Sequence, residues 1–266
     1  MDERPRYRTW IRMGRVYTFA AVTAVCVALA ALAPVSPWFL VSLVPAAIFG
    51  YITMVLVLTV YRLSPRGGDF QRRIHQLIAE RAGPRPGEVL DVGCGSGSLA
   101  IAVATTAPES TVVGVDSWGS DWEYSQQQCE RNARVAGVGD RVTFRQLSAA
   151  SLSFPDATFD TVASCLTFHE VRDSPDRTAA MVEALRVLRP GGRFVFVDLF
   201  ADPGHFGSIQ RVRDALARAD ATVTQESRLH ELLPLPYPLR DGKVLGHAVL
   251  LTGTVVSARV RPPEPA

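Results

Sequence analysis

The sequence has a single lysine, Lys243, although lysine and arginine together account for 28 of its 266 residues. The positive charge is therefore almost entirely arginine, and the formal net charge is only +2, which does not indicate a nucleic acid or another polyanion as partner. The four cysteines show no CxxC pair or metal-ligand spacing, so we interpret them as reduced thiols and predict no metal site. Internal repeats are also missing, and only the proline-rich tail, 259–266, is predicted to be disordered.

Charged residues are absent from two long apolar runs near the N-terminus. The first, Val16–Ala33, has about 18 residues, just enough to span a bilayer core. The second, Trp38–Val60, has about 23 residues and would extend about 34 Å as a helix. The link between them is too short for anything but a hairpin, whose two ends lie on the same side of the membrane.

Arginines flank both outer ends of this predicted hairpin, within residues 1–15 and at Arg62 and Arg66. The positive-inside rule therefore predicts a basic cytoplasmic N-terminus over 1–15, a transmembrane hairpin over 16–60, and a following domain on the cytoplasmic face of the inner or plasma membrane. Two other interpretations remain: a cleaved signal peptide, which Pro34 disfavours, and buried helices of a soluble protein.

A glycine-rich turn lies at the centre of the remaining chain, in the motif VLDVGCGSGSLA. The apolar residues around Asp91 indicate the end of a buried parallel strand, and a helix-compatible run begins at Ser98. Between them lie three glycines: Gly93, Gly95 and Gly97. A turn of this kind lets a ligand approach backbone N–H groups at a helix N-terminus. The spacing is GxGxG, and Ser98 stands where the nicotinamide fingerprint GxGxxG/A would have its third small residue.

A second acid ends the next predicted strand, Thr111–Asp116, 19 positions after Gly97. A carboxylate at a strand tip can accept hydrogen bonds from both hydroxyls of a ribose, and helix capping is the other interpretation of a lone aspartate there. Trp118, two residues later, is placed either against an adenine ring or in ordinary packing.

Several separately spaced motifs between Phe70 and Phe200 resemble those of the class I S-adenosylmethionine (SAM) methyltransferases, in particular the ubiquinone/menaquinone-type and small-molecule group. The glycine motif is similar to the family's (V/L)LDxGxGxG. A run similar to NA…G…DRV begins at Asn132, a strand similar to FDxVxxxxxLH places His169 on the family's histidine, and LRPGGRFVFVD begins at Leu188.

The resemblance implies a Rossmann-like α/β fold with seven strands in the order 3-2-1-4-5-7-6. It places a linker and lid helix at 61–82 and the methyltransferase domain at 83–258. We expect the last two strands near 229–233 and 246–255.

The resemblance also implies a SAM site and the roles of its residues. Asp91 and the three glycines would hold the methionyl part, Asp116 the ribose, and Ser148 and Ala149 the adenine. The remaining cofactor-binding candidates are Ser117, Trp118 and Cys165. Ser148 stands where family members usually have an aspartate that takes the adenine amino group. His169 is either a catalytic base or a group that orients the substrate.

We therefore predict a membrane-anchored enzyme that transfers the methyl group of SAM to a small, lipid-like or membrane-soluble acceptor. Two alternatives are a catalytically inactive membrane scaffold with the same fold and a nicotinamide-dependent Rossmann oxidoreductase. The identity of the methylated atom (C, N, O or S) and the oligomeric state are left open.

Overall fold

The computed structural model describes residues 4–119, 124–173 and 176–256, so the tail predicted at 259–266 lies outside the described residues. The chain divides into two compact units. The described part of the larger unit comprises 4–8, 72–119, 124–173, 176–235 and 240–256, and the smaller unit comprises 9–71 and 236–239.

The smaller unit contains two apolar helices, α1 (Met13–Ala30) and α2 (Leu43–Leu63), with a 3-10 turn at Pro37–Ser42 before α2. The rings of Phe19 and Phe49 stack at 5.9 Å and join the two helices. Both candidate spans, of 18 and 27 residues, are long and apolar enough to cross a membrane. Only 6% and 11% of their most apolar windows are buried, whereas a core helix of a soluble protein is mostly buried.

A seven-stranded sheet forms the larger unit, in the order β3-β2-β1-β4-β5-β7-β6. This order confirms the one predicted. The strands are β1 (Glu88–Val92), β2 (Thr111–Asp116), β3 (Val142–Gln146), β4 (Phe159–Cys165), β5 (Leu188–Asp198), β6 (Ala221–Arg228) and β7 (Val249–Val255). The first five are parallel, and β7 runs antiparallel between β5 and β6.

Helices alternate with the strands, as expected for a parallel sheet covered on both faces. They are α3 (Phe70–Ala82), α4 (Ser98–Thr106), α5 (Gln126–Val135), α6 (Thr178–Arg186), α7 (Pro203–Phe206), α8 (Ile209–Arg218) and α9 (Leu229–Leu232). The strand predicted near 229–233 is wrong, because this segment is the short helix α9 and the strand precedes it.

Three aromatic rings pack together in the core at the carboxyl ends of β4 and β5. The ring of Phe168 lies 5.0 Å from that of Phe196 and 6.5 Å from that of Phe200, and all three side chains are fully buried. In an open α/β sheet, ligands bind outside the carboxyl ends of the strands. This aromatic cluster therefore supports the edge of the sheet at which the candidate residues lie.

Candidate functional site

The glycine turn after β1 is fixed by its packing. All three glycines have positive φ, +75° at Gly93, +54° at Gly95 and +80° at Gly97. A Cβ on Gly93 would lie 2.0 Å from Oγ1 of Thr167, and one on Gly97 would lie 2.9 Å from the ring of Phe144. At Gly95 the nearest atom, in a tyrosine ring, would be 3.5 Å away. The outer two glycines therefore pack against the protein, and the middle one has room around it.

Asp116 is joined directly to this turn. Its Oδ2 accepts a hydrogen bond from the backbone N–H of Gly95 at 2.9 Å, and its Oδ1 accepts one from that of Trp118 at 2.8 Å. Burial raises the pKa of Asp116, and these amides oppose the rise. A carboxylate has about four acceptor positions, so hydroxyl donors of a ribose can still bind here.

Trp118 is also hydrogen-bonded to the glycine turn. Its indole N–H donates to the carbonyl oxygen of Gly95 at 2.9 Å. The side chain is half-buried, and its N–H is used within the turn, so only its ring face could contact a ligand. The glycine turn, Asp116 and Trp118 thus form one hydrogen-bonded group at the ends of β1 and β2.

Asp91 lies beneath this group and is almost completely buried. Neither carboxylate oxygen has a hydrogen-bond partner among the described residues. Burial raises the pKa of Asp91 to about 8; the nearby amide of Ala100 opposes the rise and the negative charge of Asp116 adds to it. An unpartnered buried carboxylate is costly and favours a cationic ligand group. The α-ammonium group of SAM fits this requirement.

His169 belongs to a second cluster, in a 3-10 turn after β4. Its Nδ1 lies 2.6 Å from Oδ1 of Asp198, the fully buried last residue of β5. The same carboxylate accepts hydrogen bonds from the backbone N–H groups of Phe168 and Leu199, each at 2.7 Å. The carboxylate is therefore fixed in position, so Nδ1 carries the proton and Nε2 is left as the basic nitrogen.

The electrostatic surroundings keep His169 basic. Burial alone would lower its pKa, but the charge and hydrogen bond of Asp198 outweigh burial, Glu170 adds to the rise, and Arg177 opposes it, so the pKa is raised. The ring of His205 lies 5.2 Å away, centroid to centroid. Burial, followed by the charge of His169, lowers the pKa of His205. A partly buried histidine of raised pKa beside a buried carboxylate has the properties of a general base.

The residues predicted to hold adenine follow β3. Ser148 and Ala149 are half-buried, and the hydroxyl of Ser148 donates to Oδ2 of Asp173 at 2.6 Å. Ser117 is exposed and its carbonyl oxygen accepts a hydrogen bond from the side chain of Gln146. Cys165 is buried at the end of β4, where burial raises the pKa of its thiol.

Two side-chain contacts were not predicted from the sequence: His169 with Asp198, and Ser148 with Asp173. The signal for the first contact was that Asp198 ends a predicted strand next to the strand that precedes His169. The part of the chain that the structure describes contains no group of three or more His, Cys, Asp or Glu side chains able to hold a metal ion.

Comparison with known proteins shows which families this chain is similar to. Residues 90–196 match the sequence model of a family described as a methyltransferase domain. The 27-O-demethylrifamycin SV methyltransferase of Amycolatopsis mediterranei is 38% identical over 148 residues, which are 53% of this chain and 49% of that protein. The demethylmenaquinone methyltransferase of Thermus thermophilus is 34% identical over 154 residues, 57% of this chain and 64% of that protein.

A solved structure shows the same fold. The geranyl diphosphate C-methyltransferase of Streptomyces coelicolor, crystallised with Mg²⁺, geranyl diphosphate and S-adenosylhomocysteine, superposes with a TM-score of 0.53 at 19% identity. The superposition covers 72% of this chain and 81% of that chain. The chain spans about half to two thirds of the length of the curated relatives described above.

The fold and these matches define a class I SAM-dependent methyltransferase domain with a Rossmann-like sheet. The match to a methyltransferase domain extends over residues 90–196 of this chain. This match favours the predicted methyltransferase over the nicotinamide-dependent alternative.

Proposed function

We propose that the protein is a membrane-anchored O-methyltransferase, which transfers the methyl group of SAM to a hydroxyl of a small, lipid-like or membrane-soluble acceptor. The observation that carries this proposal is the pair of partly buried His169 and buried Asp198 at the carboxyl ends of β4 and β5. A hydroxyl is a poor nucleophile until its proton is removed, and this pair provides a positioned base.

The chemistry requires one proton transfer by the protein. Bound SAM supplies an electrophilic methyl group on its sulfonium. Nε2 of His169 removes the hydroxyl proton as the acceptor oxygen bonds to the methyl carbon, and the carbon–sulfur bond breaks to give a methyl ether and S-adenosylhomocysteine. Asp198 stabilises the resulting imidazolium, which later releases its proton to solvent. Alignment of the two reactants supplies much of the remaining rate.

The geometry at β1 and β2 supports the proposed cofactor-binding roles. Asp91 would pair with the α-ammonium group of SAM, and Asp116 would accept hydrogen bonds from its ribose. Gly95 is where the ligand can come closest to the main chain, because a side chain there would have space around it. Trp118 would present a ring face, and Ser117, Ala149 and Cys165 would complete the walls.

The membrane part of the proposal is supported by α1, α2 and the segment before them. The N–H of Arg6 donates to the side-chain oxygen of Asn132 at 2.8 Å, and the Asn132 amide donates back to the Arg6 carbonyl at 3.1 Å. Asn132 belongs to α5 of the methyltransferase domain. The chain before α1 and the domain after α2 would thus share one side of the membrane, the cytoplasmic side by the distribution of arginines.

The relatives' names support the acceptor class. One relative is named for the 27-O-demethylated form of rifamycin SV, and another for demethylmenaquinone. A membrane anchor places an enzyme at the surface where a lipid-soluble hydroxyl compound is concentrated. We therefore expect an acceptor that partitions into lipid.

The test uses membranes that contain the full chain, incubated with SAM labelled in its methyl group and then extracted with organic solvent. We expect label in the organic extract as an alkali-stable ether. The variant His169→Gln should lose about 10²- to 10⁴-fold in rate while S-adenosylhomocysteine affinity changes little. His230→Gln, in α9, is the matched control and should keep the wild-type rate. Label found only in water-soluble products, or full activity of His169→Gln, would contradict the proposal.

A further inference from the structure

A carboxylate from the loop after β4 lies next to the end of β3. Oδ2 of Asp173 accepts the hydroxyl proton of Ser148 at 2.6 Å, and the Ser148 oxygen in turn accepts the backbone N–H of Ala150 at 3.1 Å. The hydroxyl has only one proton, and it is given to Asp173. Ser148 therefore holds the carboxylate in place. Asp173 itself is exposed, so its other acceptor positions are open to a ligand.

The strand order shows which part of an adenosyl group would reach this position. Asp116 pairs with Gln146 in the parallel ladder, and the N–H of Leu147 donates to the Asp116 carbonyl at 3.0 Å. Ser148 follows Leu147 and so lies just beyond Asp116 on the β3 side, whereas the glycine turn is on the β1 side. Neighbouring strands lie about 4.8 Å apart, so β1 and β3 are separated by about 10 Å, roughly the length of an adenosine.

We propose that Asp173, positioned by Ser148, accepts the hydrogen bond of the exocyclic amino group of adenine. This inference rests on the proposed SAM site, with the ribose at Asp116 and the methionyl part at the glycine turn. The amino group is a donor, and a charged acceptor binds it more strongly than a hydroxyl does. The sequence assigned this contact to Ser148, whereas the geometry makes Ser148 the positioning residue and Asp173 the binding residue.

The proposal predicts discrimination at one atom of the base. In hypoxanthine an oxygen replaces the exocyclic amino group, and this oxygen would face the Asp173 carboxylate without a proton between them. The wild-type protein should therefore bind S-adenosylhomocysteine at least about tenfold more tightly than S-inosylhomocysteine, since a hydrogen bond to a charged group is worth that much. An asparagine at this position can donate or accept a hydrogen bond. Asp173→Asn should therefore reduce the ratio of the two affinities to within about threefold.

The experiment measures the two affinities by calorimetry with the full chain in detergent. Asp176→Asn changes a second aspartate of the same loop and should keep the wild-type ratio of affinities. The side-chain oxygen of asparagine can still accept the hydrogen bonds that Oδ1 of Asp176 accepts from the backbone N–H and the hydroxyl of Thr178. Ser148→Ala should reduce the ratio partly, and Ser148→Asp in the Asp173→Asn background should restore it by placing a carboxylate at the end of β3. A ratio unchanged in Asp173→Asn, with both ligands still bound, overturns this inference. Failure of the wild-type protein to bind either ligand overturns the proposed SAM site instead.

Discussion

The substitution Asp198→Asn removes one charge and one acceptor from the most completely satisfied carboxylate in the candidate site. The carboxylate accepts hydrogen bonds from Nδ1 of His169, from the amide of Phe168 and from the amide of Leu199, the first and last at the same oxygen. Asparagine has one acceptor oxygen. In either orientation its NH₂ group faces at least one buried N–H donor, which costs about 1–3 kcal/mol of folding free energy.

The effect on catalysis should be larger and should depend on pH. When the amide NH₂ faces Nδ1 of His169, the imidazole proton moves to Nε2 and the base is lost, so the rate falls by about 10²- to 10⁴-fold. In the other orientation the base survives without its negative partner. Because the charge of Asp198 raises the pKa of His169, its loss lowers that pKa. Activity needs neutral His169, so the acidic limb of the pH–rate profile should move to lower pH.

The assay combines urea unfolding of the full chain in detergent with a pH–rate profile at saturating SAM. Asp202→Asn is the control, because this aspartate lies in the same segment after β5 and accepts only a local hydrogen bond from the amide of Gly204 among those described. It should leave both the profile and the stability near the wild-type values. An Asp198→Asn variant with the wild-type acidic limb and rate would refute the assignment of His169 as the base.

Three further predictions concern the cofactor site and the fold. Gly93→Ala should prevent folding, because its methyl group would lie 2.0 Å from a threonine hydroxyl. Gly95→Ala should fold, with a free energy of unfolding lower by about 1–2 kcal/mol because of the positive φ, and calorimetry should show weaker binding of S-adenosylhomocysteine. Asp91 is protonated below its pKa of about 8, and an ammonium ligand needs it ionised. The affinity for S-adenosylhomocysteine should therefore increase by up to about tenfold per pH unit as the pH rises towards 8, and Asp91→Asn should abolish this increase. Arg186→Met should lower the free energy of unfolding in urea by about 3 kcal/mol, because it removes the mostly buried guanidinium that pairs with Asp156 and Glu183. The same change at the more exposed Arg189 should cost less.

Local chemistry made the central part of the fold predictable. Positive φ at three alternate positions favours glycine, so the turn after β1 could be located from residue type alone. Alternating apolar strands and helices then gave the parallel part of the sheet. The strand β6 was missed because its residues, Ala221–Arg228, alternate between half-buried and exposed and are mostly polar. The strand was predicted instead at the more apolar residues that follow it, which form the helix α9.

The site was predictable only where its residues are close in sequence or end adjacent strands. Asp91 and Asp116 were found because each follows a recognisable apolar run. The pair of His169 and Asp198 joins positions 29 residues apart, and that of Ser148 and Asp173 positions 25 apart. Such contacts depend on how the loops beyond the strands fold back, which neither periodicity nor spacing specifies.

The proposed function depends most on one SAM site formed jointly by the glycine turn and Asp116. Titration of S-adenosylhomocysteine into the full chain by calorimetry, with the wild type and Asp116→Asn compared at one pH, measures this directly. We expect one binding site per chain in the wild type and affinity at least about tenfold weaker in the variant, because a charged acceptor of the ribose hydroxyls is lost. Absence of binding to the wild type, or equal affinity in the two proteins, would contradict it.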